Sequence, residues 1–313
     1  MNERLSTPVK LLGFAAVLAL VFGVTWVAGA EVGPIDPPET AEHEMGQAGG
    51  EGGHGDDGGH DAEQQEATEA LPGLAAARDG YRLVLADDVL DAGSRELAFT
   101  VEGPDGHPVT EFDVEHEKRL HLIVVRRDHE GFQHLHPTLD ESTGAWTTEA
   151  QLAPGSWRVF TDFTPSGGPA LVLGSDLLVP GRFDEPEPVK ETRTDAVDGY
   201  AVAVDGTLEA GDHSELTLTV TKDGEPVTDL QPYLGAYGHL VALREGDLAY
   251  LHVHPAGEPG DGETDPGPEV EFGVEVPTAG RYHLYLDFQH RGVVRTAHLV
   301  LDAAGHATGE EHP

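Results

Sequence analysis

One pattern occurs twice in this chain and constrains its fold more than any other feature: an apolar run opening on a histidine, followed thirteen residues after that histidine by H-x-H-P. The first copy, RLHLIVVRRDHEGFQHLHP, carries His121, His134 and His136; the second, YGHLVALREGDLAYLHVHP, carries His239, His252 and His254, 118 residues further on. The likeness extends beyond the histidines. DGY recurs at Asp79 and Asp198, SRELAFTV from Ser94 returns as HSELTLTV from His213, and PVT recurs at Pro108 and Pro226. Past H-x-H the offset grows to 125, so PGSWRVFTDF from Pro154 meets AGRYHLYLDF from Ala279, and Asp162 meets Asp287. A period this long means two whole domains, not the short units of a solenoid.

The content of each copy is β. ELAFTVEG, LHLIVVRR, WRVFTDF and ALVLGSDLLV, with their second-copy equivalents, are short runs rich in β-branched and aromatic residues, separated by turn sequences such as GPDG, RDHEG, PSGG, KDGE and REGD. No long segment beyond the N-terminus shows a helical apolar period. About seven strands in roughly 100 residues per copy predict an all-β chain of two tandem immunoglobulin-like sandwiches. The repeat limits place them at 78–181 and 195–303, joined by a Pro-rich linker at 182–194 and followed by a disordered tail at 304–313.

The N-terminus differs in kind. Arg4 and Lys10 precede an uncharged stretch from Leu11 to Ala30, long enough to cross a bilayer as a helix, and the basic flank places everything after Glu31 outside the cytoplasm. Residues 1–30 therefore read as a single-pass transmembrane anchor or, given the small residues Ala28-Gly29-Ala30, as a cleaved signal peptide. Both readings export the rest of the chain. Residues 31–77, dominated by Gly, Glu, Asp, Pro and His, hold too little apolar material to offset the entropy of ordering and predict a disordered acidic tether.

Charge and composition exclude several functions. With 57 acidic against 18 basic residues the net charge is −39, which opposes binding to nucleic acid or to an anionic lipid surface and favours a cation. There is no cysteine, so disulfides, thiolate nucleophiles and zinc-thiolate sites are ruled out. Methionine occurs only as Met1 and Met45, which removes the thioethers that suit Cu(I). No G-x-S-x-G turn, phosphate loop or dinucleotide fingerprint is present, so the chain is not expected to be an enzyme.

The turns set the register of the histidine hairpins. A turn centred on Asp128-His129 places His121 opposite His136 with His134 on the same side; one at Gly246-Asp247 places Val241 opposite His252 and His239 opposite His254. Residues two apart on a strand share a face, so each triad shares one. Three imidazoles suit Cu(II) or Zn(II), with Asp162 and Asp287 as a fourth ligand or as the partner that orients a ring nitrogen. The expectation is one ion per domain, held by His121, His134, His136 and Asp162 in the first and by His239, His252, His254 and Asp287 in the second. Affinity should weaken as pH falls through about 6.5.

On the other reading the histidines cap sheet edges, and the paired sandwiches form a cell-envelope adhesion or protein-interaction module. His116 and His290 have no histidine at the corresponding repeat position and rank as secondary candidates. His107, His129, His213 and His298 read as surface or turn residues, and Trp146, Trp157 and Phe163 as core.

HLIVVRRDHEGFQHLHP and PYLGAYGHLVALREGDLAYLHVHP, with EVGPIDPP after the apolar stretch, resemble exported two-domain β-sandwich proteins of actinobacterial type. More distantly, the arrangement is similar to periplasmic copper-resistance proteins of the CopC and YtkA-like kinds. That resemblance implies a membrane-anchored, extracytoplasmic metal-binding protein acting in copper, or zinc, buffering or resistance.

Overall fold

The computed structural model describes residues 71–184, 186, 189–251 and 253–305, with His254 described by its backbone alone. The apolar stretch 11–30, the tether as far as residue 70, His252 and the tail from 306 lie outside the described residues. Repeat one comprises β1 (Ala77–Arg78), β2 (Tyr81–Leu85), β3 (Gly93–Glu102), β4 (His121–Arg126), β5 (Gln133–Leu135), β6 (Thr138–Asp140), β7 (Ala145–Leu152), β8 (Gly155–Phe163) and β9 (Leu171–Val179). Repeat two comprises β10 (Thr194–Val197), β11 (Tyr200–Asp205), β12 (Leu208–Glu209), β13 (His213–Lys222), β14 (Glu225–Pro226), β15 (His239–Arg244), β16 (Tyr250–Leu251), β17 (Val253–Pro255), β18 (Glu269–Glu275), β19 (Gly280–His290) and β20 (Val293–Ala304). No helix occurs among the described residues, and so none long and apolar enough to cross a membrane.

Each repeat is a two-sheet sandwich. In repeat one the sheet β1-β2-β3-β7-β6 faces the sheet β5-β4-β8-β9; in repeat two β10-β11-β13-β18-β17, with β14 on β13, faces β12-β20-β19-β15-β16. Both follow the immunoglobulin-like order: the chain crosses between sheets after β3, β5 and β7 in repeat one and, equivalently, after β14, β16 and β18 in repeat two. The first sheet of each pair is half-buried and alternates accordingly: Leu97, Phe99 and Val101 point into core one from β3, and Leu216, Leu218 and Val220 into core two from β13. Trp146, Trp157 and Phe163 lie in core one, as the sequence predicts.

The strands β4 and β15 do not alternate. HLIVV and HLVAL are buried at every position, which requires both faces of the strand to be covered. On β4, Leu122 and Val124 fill core one; on β15, Leu240 and Ala242 fill core two. The residues between them, Ile123 and Val125 on one strand and Val241 and Leu243 on the other, meet each other in a third apolar cluster with Phe160, Leu248, Tyr250 and Tyr285. The two sandwiches therefore pack through the outer faces of β5-β4-β8-β9 and β12-β20-β19-β15-β16.

The repeat makes this interface pseudo-symmetric. Phe132 stacks on Tyr285 with ring centres 4.0 Å apart, and their repeat counterparts, Tyr250 and Phe160, meet at 5.7 Å. What breaks the symmetry is the segment 71–76, which the sequence assigns to the disordered tether. It is ordered: the Tyr250 amide donates to Pro72 O at 3.1 Å, the Gly73 amide to Val172 O at 3.0 Å and the Gly174 amide to Ala75 O at 2.9 Å. The buried Arg158 guanidinium donates to the carbonyls of Gly73 and Leu74, at 2.6 and 2.8 Å, and to Asp176 at 2.9 Å. Backbone pairing and a buried cation together offset the ordering entropy that composition alone leaves uncompensated. The linker is docked at its far end as well, where Thr192 and Val300 exchange backbone hydrogen bonds, and the last strand runs one residue into the predicted tail, to Ala304.

A Cβ at Gly174 would fall 2.1 Å from Gly73 O and 2.7 Å from Arg158 Nη2. Gly174→Ala is accordingly expected to lift the segment 71–76 off β9, at a cost of about 1–3 kcal/mol, the range for overpacking. Hydrogen exchange at the Gly73 and Tyr250 amides checks it; unchanged protection there would mean that the backbone absorbs the methyl group.

Candidate functional site

Strand parity puts the polar residues where the two repeats meet. His121 shares its face of β4 with Ile123 and Val125, and His239 shares its face of β15 with Val241 and Leu243. The β4–β5 pairing is Leu122 with Leu135 and Ile123 with His134, and the β15–β16 pairing is Ala242 with Leu251 and Leu243 with Tyr250, the registers expected from the turns. Cross-strand pairing then sets Asp162 directly opposite His121 and Asp287 directly opposite His239. All these groups face the boundary between the repeats.

Three of the predicted ligands converge. One nitrogen from each of His121, His134 and His136 lies within 4.8 Å of the others, the single such group among the described residues. His121 Nδ1 is 3.0 Å from His134 Nε2, His121 Nε2 is 3.1 Å from Glu115 O, and His134 Nδ1 is 2.8 Å from Asp287 Oδ2. His136 Nε2 is buried without a hydrogen-bond partner. The second repeat closes the site. The His239 ring lies 6.5 Å from that of His134, and His116 bridges the two repeats with ring centres 5.3 Å from His239 and 6.1 Å from His121.

The two repeats orient their first histidine in the same way. His121 Nε2 faces the carbonyl of Glu115 and His239 Nε2 that of Tyr233, at 2.9 Å, each six residues upstream. A carbonyl only accepts, so each Nε2 carries the proton and each Nδ1 presents a lone pair. Asp287 likewise accepts the Nδ1 proton of His134, leaving Nε2 as the lone pair. Two lone pairs then face each other across the 3.0 Å between His121 and His134. That arrangement is repulsive unless an electrophile occupies the space: a metal ion, or a second proton on His134 balanced by Asp287.

The site differs from the one expected per domain. Asp287 belongs to repeat two, yet its carboxylate serves His134 of repeat one, with its other oxygen accepting from Thr296. Its burial at 3 % exposure leaves it no access to solvent. Asp162 accepts from Tyr250 of repeat two, at 3.2 Å. The predicted opposition of His239 and His254 does not extend that far: β17 leaves the hairpin and pairs with β18 in the other sheet, setting His254 opposite Gly273. His252 lies outside the described residues. Among the described residues, what the structure brings together is one cluster, His121, His134 and His136, with Asp287 and His239 of repeat two beside it.

Burial is the main cause of the titration behaviour. It holds His121 and His239 down to about 4 and His136 down to about 3, with neighbouring histidines adding in the same direction. Proton competition at these three rings thus sets in well below the range near 6.5 that an exposed imidazole implies.

His116, a secondary candidate in the sequence, lies between His121 and His239. Its repeat counterpart is Leu234, so duplication gives no signal; both sit at positive φ, 46° and 54°, in equivalent turns. His290, the other secondary candidate, is structural: it is buried, with Nδ1 2.8 Å from Tyr200 Oη and Nε2 3.0 Å from Asp229. His107 and His213 are exposed, as expected, whereas His129 is buried and His298 half-buried.

The family model described as a domain of unknown function, DUF8832, matches twice, at residues 75–172 and 195–305. The chain belongs to the DUF8832 family. One match falls on each sandwich, the first running from β1 to the start of β9 and the second from β10 to β20, so the cluster lies where two DUF8832 copies meet. No curated protein matches the chain. Among solved structures, it is similar to a Salmonella alpha-2-macroglobulin mutant at 13 % identity, over 75 % of this chain and 15 % of that one, with a TM-score of 0.25. It is similar to InvD of Yersinia pseudotuberculosis at 14 % identity, over 76 % and 62 %, with a TM-score of 0.23. For the adhesin InvE of the same organism the values are 12 %, 71 %, 58 % and 0.20. The chain spans less than two thirds of each of these proteins. Its immunoglobulin-like architecture rests on the strand pairing itself.

Proposed function

We propose that this protein is a non-catalytic, extracytoplasmic metal-binding protein, held at the membrane by residues 1–30, whose interdomain histidine cluster takes up a Cu(II) or Zn(II) ion in metal buffering or resistance. The observation that carries the reading is the opposition of His121 Nδ1 and His134 Nε2 at 3.0 Å, with the outer nitrogen of each ring turned to an acceptor. His136 supplies the third inward nitrogen, and His116 and His239 stand at the rim. The donor set is imidazole with a carboxylate behind it, which fits both ions. The resemblance to copper-resistance proteins and the net charge of −39 agree with a cationic ligand.

The test is calorimetric titration of the full chain in detergent with Cu(II) and with Zn(II) at neutral pH, alongside Asp287→Asn. The wild type should bind, and the variant should bind about 10–100-fold more weakly, the usual cost of losing a partner that orients a ligand. Failure of both ions to bind, or full affinity in Asp287→Asn, overturns the reading.

A second reading is favoured by the same hydrogen bonds. If His134 carries both protons, the chain from Asp287 through His134 and His121 to Glu115 O is satisfied without an ion, and the cluster is a structural staple between sandwiches. The protein is then an envelope adhesion or interaction module, as the adhesin InvE is, and Asp287→Asn loses stability instead of metal affinity.

A further inference from the structure

A second set of histidines lies on the same boundary, and none of it belongs to the metal cluster. His129 sits in the β4–β5 turn at φ 68°, His283 is on β19, and His298 is on β20 directly opposite Tyr285. His129 lies flat on His283, with ring centres 3.5 Å and planes 7° apart. His283 Nδ1 is 2.9 Å from His298 Nε2; His298 stacks on Tyr285 at 4.5 Å, and Tyr285 on Phe132 at 4.0 Å. The column thus begins and ends on repeat one, with three rings of repeat two between. Tyr285 fastens it by donating its hydroxyl to His129 O at 2.7 Å.

This is not a second metal centre. Rings stacked in parallel present parallel lone pairs, which do not converge on one ion. What the stack requires is neutrality. His129 and His283 are 5 % and 1 % exposed, and both nitrogens of His129 and Nε2 of His283 are buried without partners. A proton on either ring places an unpaired charge in the interface, against another imidazole at contact distance. The charged and titratable groups facing them are Asp128 and Glu130 on the turn, Arg281 and Tyr285 on β19, and Asp195 on β10. Among the described residues none of those carboxylates is hydrogen-bonded to any of the three rings; Asp195 holds the His298 backbone amide and Asp128 holds Arg126.

We propose that the His129–His283–His298 column is an acid-sensitive latch, closing the two repeats face to face while its rings are neutral and releasing them as the rings take up protons. Burial holds His129 down to about 4 and His283 down to about 2, and lowers His298 as well. The sign follows from linkage. The closed state has the lower values, so the open state, with rings near 6.5, binds more protons; closure is fully favoured above about 6.5 and weakens as pH falls. The closing equilibrium loses about tenfold per pH unit for each ring between its open and closed values.

The absence of cysteine allows a pair of dyes to be placed by Glu96→Cys in repeat one and Glu225→Cys in repeat two, both exposed positions. Energy transfer in the full chain, with a chelator present, is followed from pH 7.5 to 4. The wild type should open on acidification, and His129→Phe, which keeps a flat ring but cannot titrate, should open at a pH lower by half a unit or more. An identical midpoint in the two chains overturns the latch. Ring-proton NMR of the wild type provides the reading if the variant does not fold: His129 and His283 should stay neutral to below pH 5, and titration of either near 6.5 with the repeats still closed overturns it.

Discussion

His134→Ala combined with His136→Ala is expected to reduce Cu(II) or Zn(II) affinity by more than 100-fold, beyond the ~10–100-fold loss typical of a residue that only orients a ligand. The two side chains supply two of the three converging nitrogens, so what remains is His121 with the rim histidines. The informative comparison is His239→Ala. Were each repeat to carry its own site, removing a histidine of repeat two would leave binding at His134 and His136 unaffected. In the composite site His239 lies 6.5 Å from His134 in ring centres, and Asp287 of the same repeat holds His134 directly. His239→Ala should therefore weaken the same binding event, and its effect should be non-additive with loss of His134. Calorimetry on the four chains of that double-mutant cycle decides it; independent, additive losses would restore the picture of two separate sites.

Phe160→Ala should have the largest effect on stability, about 3–5 kcal/mol, the range for removing a buried aromatic ring. Phe160 is fully buried, lies against Tyr250, and is close enough to Gly73 that a Cβ there would come within 2.7 Å of its ring. Its loss opens a void in the third apolar cluster, between the repeats, and leaves the two sandwich cores intact. The penalty should consequently fall on docking. Calorimetry is expected to show the two repeats melting apart as separate transitions, where the wild type melts with coupled ones. A single transition at an unchanged temperature would mean that the interface contributes little.

Much of this was legible in the sequence because it depends on local rules. Turn sequences at Asp128-His129 and Gly246-Asp247 determined both hairpin registers, and period two then determined which side chains share a face. The runs HLIVV and HLVAL carried a further message, that both faces of these strands are covered, but could not say by what. The covering surface is the other repeat. Because the two outer faces meet, Asp287 reaches His134, Tyr250 reaches Asp162, and His116 comes between His121 and His239, contacts linking residues up to 153 positions apart.

The same cause explains the burial of His129, which the sequence assigns to a surface turn. A hairpin tip is normally solvated, and His129 is buried because the turn that carries it closes over β19 and β20 of the second sandwich. The residues 71–76, Leu-Pro-Gly-Leu-Ala-Ala at the end of the acidic tract, are likewise ordered by Arg158 and by backbone partners supplied from both repeats. The sequence by itself determined two immunoglobulin-like sandwiches, the β4–β5 and β15–β16 registers and the shared face of His121 and His134. The tertiary structure alone decided that those faces pack against each other, which brings Asp287 and His239 of repeat two to His134 of repeat one, because docking free energy depends on the summed shape of two surfaces and not on any local pattern.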